Sequence, residues 1–170
     1  MAIKVGDRLP EATLTEMIDT ERLGCTIGPN NFSVGDLTKG KRVVIFAVPG
    51  AFTPTCSAKH VPSYVGNVDK LRGKGVDEIL CVAVNDAFVM GAWGREQKAG
   101  GKVRMMADGS AKFAKAVGLD LDLVERGMGV RSQRYSMLVE DGVVKALNVE
   151  APGKFEVSDA ETMLKQIPSR

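Results

Sequence analysis

Two stretches of the chain are apolar without alternation. Arg42-Val43-Val44-Ile45-Phe46-Ala47-Val48 is unbroken and rich in β-branched residues, and Pro49-Gly50 ends it. Glu78-Ile79-Leu80-Cys81-Val82-Ala83-Val84 has the same character. Runs of this length with no polar alternation predict strands buried on both faces, as inside a parallel sheet. Between them Lys59, His60, Val65, Val68 and Leu71 fall at helical spacing, and Gly73 and Gly75 close the segment. The pattern is that of a β-α-β crossover, hence of two parallel strands in one sheet.

Further along the pattern changes. Ala87 to Gln97 predicts a short helix with Asn85-Asp86 placed to cap it, although Gly91 and Gly94 weaken it. Val103 to Met106 predicts a short strand, and Ser110 to Val117 a helix closed by Gly118. Tyr135 to Glu140 and Val143 to Val149 flank Asp141-Gly142, a strong hairpin signal. Ser158-Asp159-Ala160-Glu161 has the form of a capping box opening a last helix, which runs to about Gln166 and stops at Pro168. This order of elements predicts an α/β, thioredoxin-like fold: a central mixed sheet flanked by helices.

Composition narrows the class. The 170 residues are 44% hydrophobic and 26% charged, so neither a disordered nor a fibrous chain is needed. A single domain over residues 1–170 is expected, because no repeat or low-complexity linker divides the chain and two half-length domains would each have little core. The longest apolar run, Val43 to Val48, is far short of the about 20 residues that span a membrane. A net charge of +2 gives no electrostatic case for a nucleic-acid partner. Met1 to Asp7 lacks the apolar core of a secretory signal, so the mature protein is expected to begin there. Three cysteines, Cys25, Cys56 and Cys81, do not suit a disulfide framework, and a reducing, cytoplasmic compartment fits better. With a single histidine they offer no paired spacing for a metal, and no glycine-rich phosphate loop occurs, so no cofactor is implied.

The chemistry concentrates after the first buried strand. Pro49 to Ser57 leave its carboxyl end, where ligands bind in open α/β sheets, and the crossover helix should start close to Cys56. A thiol at that mouth sees the positive end of the helix dipole and unpaired N–H groups, both of which favour thiolate over thiol. His60 follows four residues later on the same helical face, which admits a Cys-His nucleophile pair. Packing or a plain hydrogen bond is the commoner use of a lone histidine.

Pro49-x-x-x-Thr53-x-x-Cys56 matches the P-x-x-x-T-x-x-C signature of the peroxiredoxins, and the surrounding PGAFTPTCSAKHVP resembles their type II branch. ADGSAKFAKAVGLDLDL at 107–123 and GVRSQRYSMLVEDG at 129–142 extend the likeness over nearly the whole chain. Ser63 stands where many members carry Gly, and Cys25 belongs to no motif of the family. The resemblance implies a thiol-dependent peroxidase acting on hydrogen peroxide and alkyl hydroperoxides. It implies that the Cys56 thiolate attacks one peroxide oxygen and becomes a sulfenic acid. Arg134 then corresponds to the family's active-site arginine, a planar fork of donors for sulfur and peroxide oxygen, with Arg131 as its nearby rival. Thr53 supplies a hydroxyl that accepts from peroxide or donates to sulfur, and also suits a helix N-cap. Pro49 shapes the pocket wall, and the Cys56 backbone N–H is a further donor. Relatives of this type form homodimers through the loops around the active site. Phe52, Phe88 and Trp93 are candidates for that contact or for the apolar pocket wall, with ordinary core as the alternative.

A sulfenic acid is reduced by another thiol. Cys81 stands where type II members carry a second cysteine, yet Ile79, Leu80, Val82 and Ala83 around it predict burial. A disulfide tolerates only about 7 Å between Cα atoms, so pairing Cys81 with Cys56 needs the first helical turn to unwind. The alternative is direct attack by glutathione, with glutaredoxin or thioredoxin completing the cycle. Cys25 is expected to be a bystander, with a resolving or glutathionylation role as its alternative. Two other classes stay open: a disulfide oxidoreductase, weakened because Thr53-Pro54-Thr55-Cys56 lacks Cys-x-x-Cys, and a redox sensor or holdase read by a partner.

Overall fold

The two apolar runs lie side by side at the centre of a sheet. A computed structural model describes residues 1–21 and 24–169. Its strands are β1 (Thr13–Ile18), β2 (Gly28–Ser33), β3 (Arg42–Val48), β4 (Glu78–Ala83), β5 (Arg104–Ala107), β6 (Asp120–Leu123), β7 (Gly129–Ser132), β8 (Tyr135–Glu140) and β9 (Val143–Val149). The helices are α1 (Val34–Thr38), α2 (Val61–Gly66), α3 (Val68–Gly73), α4 (Ala87–Glu96), α5 (Lys112–Ala116) and α6 (Ala160–Gln166). A seven-stranded sheet runs in the order β2-β1-β5-β4-β3-β8-β9, and β6 and β7 form a separate pair. Strands β3, β4 and β5 are parallel, while β8 runs antiparallel to β3. This is the expected mixed sheet with helices on both faces.

Side chains of β3 alternate between two cores. Val44, Phe46 and Val48 join Ile79, Cys81 and Ala83 on one face, under Tyr64, Leu71, Trp93 and Met163 from the helices. Val43, Ile45 and Ala47 join Leu80 and Val82 on the other, with Leu37 and Phe113. Apolar surface removed from water on both sides of the strand explains why neither run alternates. In the β8–β9 hairpin Asp141 (φ 48°) and Gly142 (φ 81°) take the paired left-handed conformation that a two-residue turn of this twist requires.

Two local expectations are corrected and a third is met by one of its two residues. The crossover is not one α-helix: the Val61 N–H bonds back to Cys56 O, which makes Cys56–His60 a π turn, and Asn67 separates α2 from α3. Helix α6 is capped by Asp159, which accepts from Thr162 N–H at 3.2 Å, and not by Ser158, whose hydroxyl is committed to Glu150. Asp86 caps α4, accepting from Val89 N–H at 2.8 Å, whereas Asn85 turns towards the loop after β3. Strands β1, β2, β6 and β7 and helix α1 were not foreseen in the pattern.

Candidate active site

The loop that leaves β3 is tied down at several points. Ala51 N–H donates to Asn85 Oδ1 at 2.9 Å, Thr53 Oγ1–H to Gly50 O at 2.7 Å, and Arg131 Nη1 to Pro49 O at 3.4 Å. Gly50 leaves room for that guanidinium: a Cβ would lie 2.8 Å from Arg131 Nη1 and would displace it. Phe52 adopts φ 63°, a conformation that a non-glycine residue keeps only where its surroundings enforce it. Its ring is 50% exposed and sits 6.3 Å from Trp93.

Cys56 opens the π turn. Arg134, just before β8, aims Nη2 at the Cys56 sulfur at 3.1 Å and Nη1 at His60 Nδ1 at 2.8 Å. Arginine has donors only, so Nδ1 must offer its lone pair, and the ring proton sits on Nε2. That proton is donated to Ser158 O at 3.0 Å. Burial first, and the Arg134 charge second, push His60 down to about 3, outweighing the Ser158 bond and the carboxylates of Glu150 and Asp159. The imidazole is therefore neutral at ordinary pH. Tyr64 O–H donates to the same Ser158 carbonyl at 2.8 Å, while its ring stacks on Phe46 at 4.1 Å. Burial pushes that phenol upward and keeps it a donor.

Thus Cys56 and Arg134, far apart in the chain, are in contact, while Pro49 and Thr53 lie in the loop that leads to Cys56, tied to Arg131 and to Gly50. Of the two arginines, Arg134 meets the sulfur and Arg131 holds the loop carbonyl. His60 shares a face with Cys56 as expected, but its Nδ1 is engaged by the guanidinium, so the two residues act on one arginine and do not form a nucleophile–base pair. The sulfur is not open at a mouth. Cys56 is 0% exposed, because the widened turn directs it inward into the core cluster with Phe46 and Tyr64. Trp93 is core as well, donating Nε1–H to Ser57 Oγ at 3.0 Å, while Phe88 is 66% exposed. Cys81 is buried in mid-strand opposite Phe46 and Met105. Burial, with the Cys56 sulfur adding to it, pushes its thiol well above the ordinary value. Cys25 is a half-buried free thiol.

The sequence pattern did not single out Glu150 or Tyr64, and it offered Ser158 and Asn85 only as helix caps. Glu150 is buried, and its carboxylate accepts from the N–H groups of Glu156, Val157 and Ser158 and from the Ser158 hydroxyl, at 2.7 to 2.9 Å. Burial alone would raise this carboxyl, but those bonds outweigh it and hold it below the usual value. The one available signal was an acid directly after an apolar strand.

Comparison with known proteins follows the same lines. The Redoxin family model matches residues 4–164. Peroxiredoxin-2E, chloroplastic, of Arabidopsis thaliana is 47% identical over 168 residues, covering 98% of this chain and 70% of that protein. Peroxiredoxin-2B of the same plant is 45% identical over 165 residues, covering 97% and 98%. Reduced Prx3 in complex with hydrogen peroxide from Vibrio vulnificus superposes with a TM-score of 0.89 at 51% identity, covering 98% of this chain and 99% of that one. A Burkholderia cenocepacia crystal structure provisionally named a thioredoxin reductase reaches 0.98 at 64% identity, covering 99% and 100%. That name does not suit the present site, which lacks the Cys-x-x-Cys pair of disulfide reduction. The cytoplasmic expectation is not upheld either: similar relatives include the chloroplastic 2E and a mitochondrial 2F of Arabidopsis thaliana, so three unpaired thiols do not define the compartment. A family model spanning residues 4–164, with relatives of this identity running the length of the chain, means that the protein belongs to the redoxin family as a type II peroxiredoxin, a thiol-dependent peroxidase.

Proposed function

We propose that Cys56 is the peroxidatic residue and that hydrogen peroxide and small alkyl hydroperoxides are its substrates. The observation that carries this is the Arg134 Nη2 to Cys56 Sγ contact of 3.1 Å, which holds the sulfur against a permanent positive charge. In the reaction the sulfur forms a bond to the near peroxide oxygen as the O–O bond breaks. The far oxygen leaves as hydroxide or alkoxide and takes up a proton, so the peroxide is reduced and the sulfur oxidised to sulfenic acid. Negative charge spreads from sulfur to both oxygens in the transition state, and a preorganised guanidinium stabilises it there without reorganising. Thr53 already donates its proton to Gly50 O, so its hydroxyl lone pairs are what it offers to a peroxide O–H. Pro49 has no N–H and so brings no competing donor to the loop that leads to Cys56.

The reductant in this reading is an external thiol, glutathione with glutaredoxin, or thioredoxin. Support comes from Cys81, buried in β4 with its thiol pushed upward, a poor partner for a sulfenic acid. The whole chain works as one domain, and pairs of chains associate through the exposed Phe52 and Phe88 near the active-site loop. Replacing the nucleophile decides the matter: Cys56→Ser should abolish thiol-dependent peroxide consumption and leave the fold intact, and a variant that still consumes peroxide overturns the proposal.

A further inference from the structure

Behind the peroxide site lies a buried polar chain that the reaction as described does not use. Glu150 follows β9 and is only 7% exposed. Its carboxylate gathers the strap that follows: Glu156 N–H at 2.9 Å on both oxygens, and Val157 N–H at 2.8 Å, Ser158 N–H at 2.8 Å and Ser158 Oγ–H at 2.7 Å on one. A buried carboxylate with this many donors is satisfied, and each donor is thereby held in place. The strap so fixed presents two things to the active site. One is the Ser158 carbonyl, which accepts from His60 Nε2 at 3.0 Å and Tyr64 O–H at 2.8 Å. The other is the Phe155 ring, 4.9 Å from the His60 ring and 5.9 Å from the Arg134 guanidinium carbon.

An imidazole has two neutral tautomers, and only the one protonated at Nε2 leaves Nδ1 free to accept from Arg134. The Ser158 carbonyl, an acceptor with no proton to give, selects that tautomer. If the strap let go of the carbonyl, the ring would be free to rotate or to place its proton on Nδ1, and Arg134 Nη1 would lose its acceptor. The guanidinium would then keep the sulfur as its acceptor and the Phe155 face, and lose the second bond that fixes its rotation.

We propose that Glu150 is a positioning residue for the peroxidase reaction: by clamping the 156–158 strap it fixes the Ser158 carbonyl, which sets the His60 tautomer and so aims the Arg134 fork at Cys56. The inference rests on the reading of Cys56 and Arg134 given above. Its consequence is that the reactivity of Cys56 depends on a carboxylate that bonds neither the sulfur nor the guanidinium, although the backbone N–H of the same residue donates to Arg134 O at 2.9 Å. The acid side chain is what the clamp needs, because a glutamine at 150 would replace one acceptor oxygen by an amide N–H2 facing the strap donors.

The test is Glu150→Gln, read by three measurements. The rate of peroxide-dependent Cys56 oxidation should fall ten- to a hundred-fold, the range expected when a reacting group is misplaced by about 1 Å. The pH profile of Cys56 alkylation by iodoacetamide should shift with it, which a merely structural role would leave unchanged. Nitrogen NMR of His60, the single histidine of the chain, should report the Nε2-protonated tautomer in the unsubstituted protein and a mixture in the variant. Wild-type rates and an unshifted profile in a folded Glu150→Gln protein overturn the proposal, as does an Nδ1-protonated His60 in the unsubstituted protein. If Glu150→Gln does not fold, Ser158→Ala removes one strap donor and keeps the carbonyl; a two- to five-fold slower oxidation supports the clamp and an unchanged rate refutes it. Cys56→Ser separates the two readings. Should Cys56→Ser still consume peroxide, the assignment of the reaction to Cys56 fails first; should that assignment stand while Glu150→Gln behaves as wild type, only the clamp falls.

Discussion

Lowering the pH from 7 to 5 should destabilise this protein through one residue. His60 is fully buried, with Nδ1 accepting from Arg134 and Nε2 donating to Ser158. A second proton could enter only at Nδ1, where it would displace an arginine N–H and set one cation against another. Burial and then Arg134 hold the folded group down to about 3, opposed by the Ser158 bond and by Glu150 and Asp159, whereas in the unfolded chain it titrates near 6.5. Between those values the unfolded chain binds a proton that the folded protein refuses. Stability from His60 is therefore complete above about pH 6.5 and is lost progressively as pH falls towards 3.

Each pH unit inside that window is worth about 1.4 kcal/mol, which makes the loss between pH 7 and pH 5 about 2 kcal/mol. Such a loss is a large share of a typical folding free energy. Ordinary carboxylates titrate mostly below pH 5, so the window isolates the histidine. Urea unfolding at pH 7, 6 and 5, followed through the buried Trp93, measures it against His60→Gln. Glutamine keeps an acceptor for Arg134 and a donor for Ser158 but cannot titrate. The variant should lose little over the same range; parallel losses in the two proteins would refute the argument.

Two further outcomes follow from the site. Arg134→Met removes the donor on the Cys56 sulfur and should slow peroxide-dependent oxidation by about a hundred- to a thousand-fold, the usual effect of losing one preorganised donor, measured by stopped-flow fluorescence. Cys81→Ala should retain full turnover with glutathione and glutaredoxin while lowering the melting temperature by a few degrees for the small cavity in the core; loss of turnover would return the resolving role to Cys81.

The elements legible in the sequence are those whose physics is local. Continuous apolar runs marked β3 and β4 because both faces are covered, and Asp141-Gly142 marked the hairpin because two left-handed residues are needed there. Strand β2, Gly-Pro-Asn-Asn-Phe-Ser, has no strand composition and exists through its pairing with β1 from Gly28 to Ser33. Strand β1 carries a buried Glu16 that the pattern reads as polar, but Arg104 meets it at 2.8 Å across the sheet. Ser158 has the right residue type for an N-cap, and the carboxylate of Glu150 outcompetes the helix for its hydroxyl.

The site divides along the same line. Pro49, Thr53 and Cys56 form one contiguous signature, and Arg134 joins them through a second matched stretch, so resemblance reaches all four. The role of His60 could not be reached that way, since periodicity gives only the face it occupies. What it does there depends on two bonds to residues 134 and 158, neither of them a neighbour in sequence. Arg134 could turn its fork to other acceptors, and the sulfur at 3.1 Å engages only Nη2 of it, which fixes a position and not a rotation. The second anchor on His60 makes the orientation of the fork unique. Placing a nucleophile at a helix start is thus a local decision of the chain, whereas aiming the charge that serves it is a decision made by residues gathered from three distant segments.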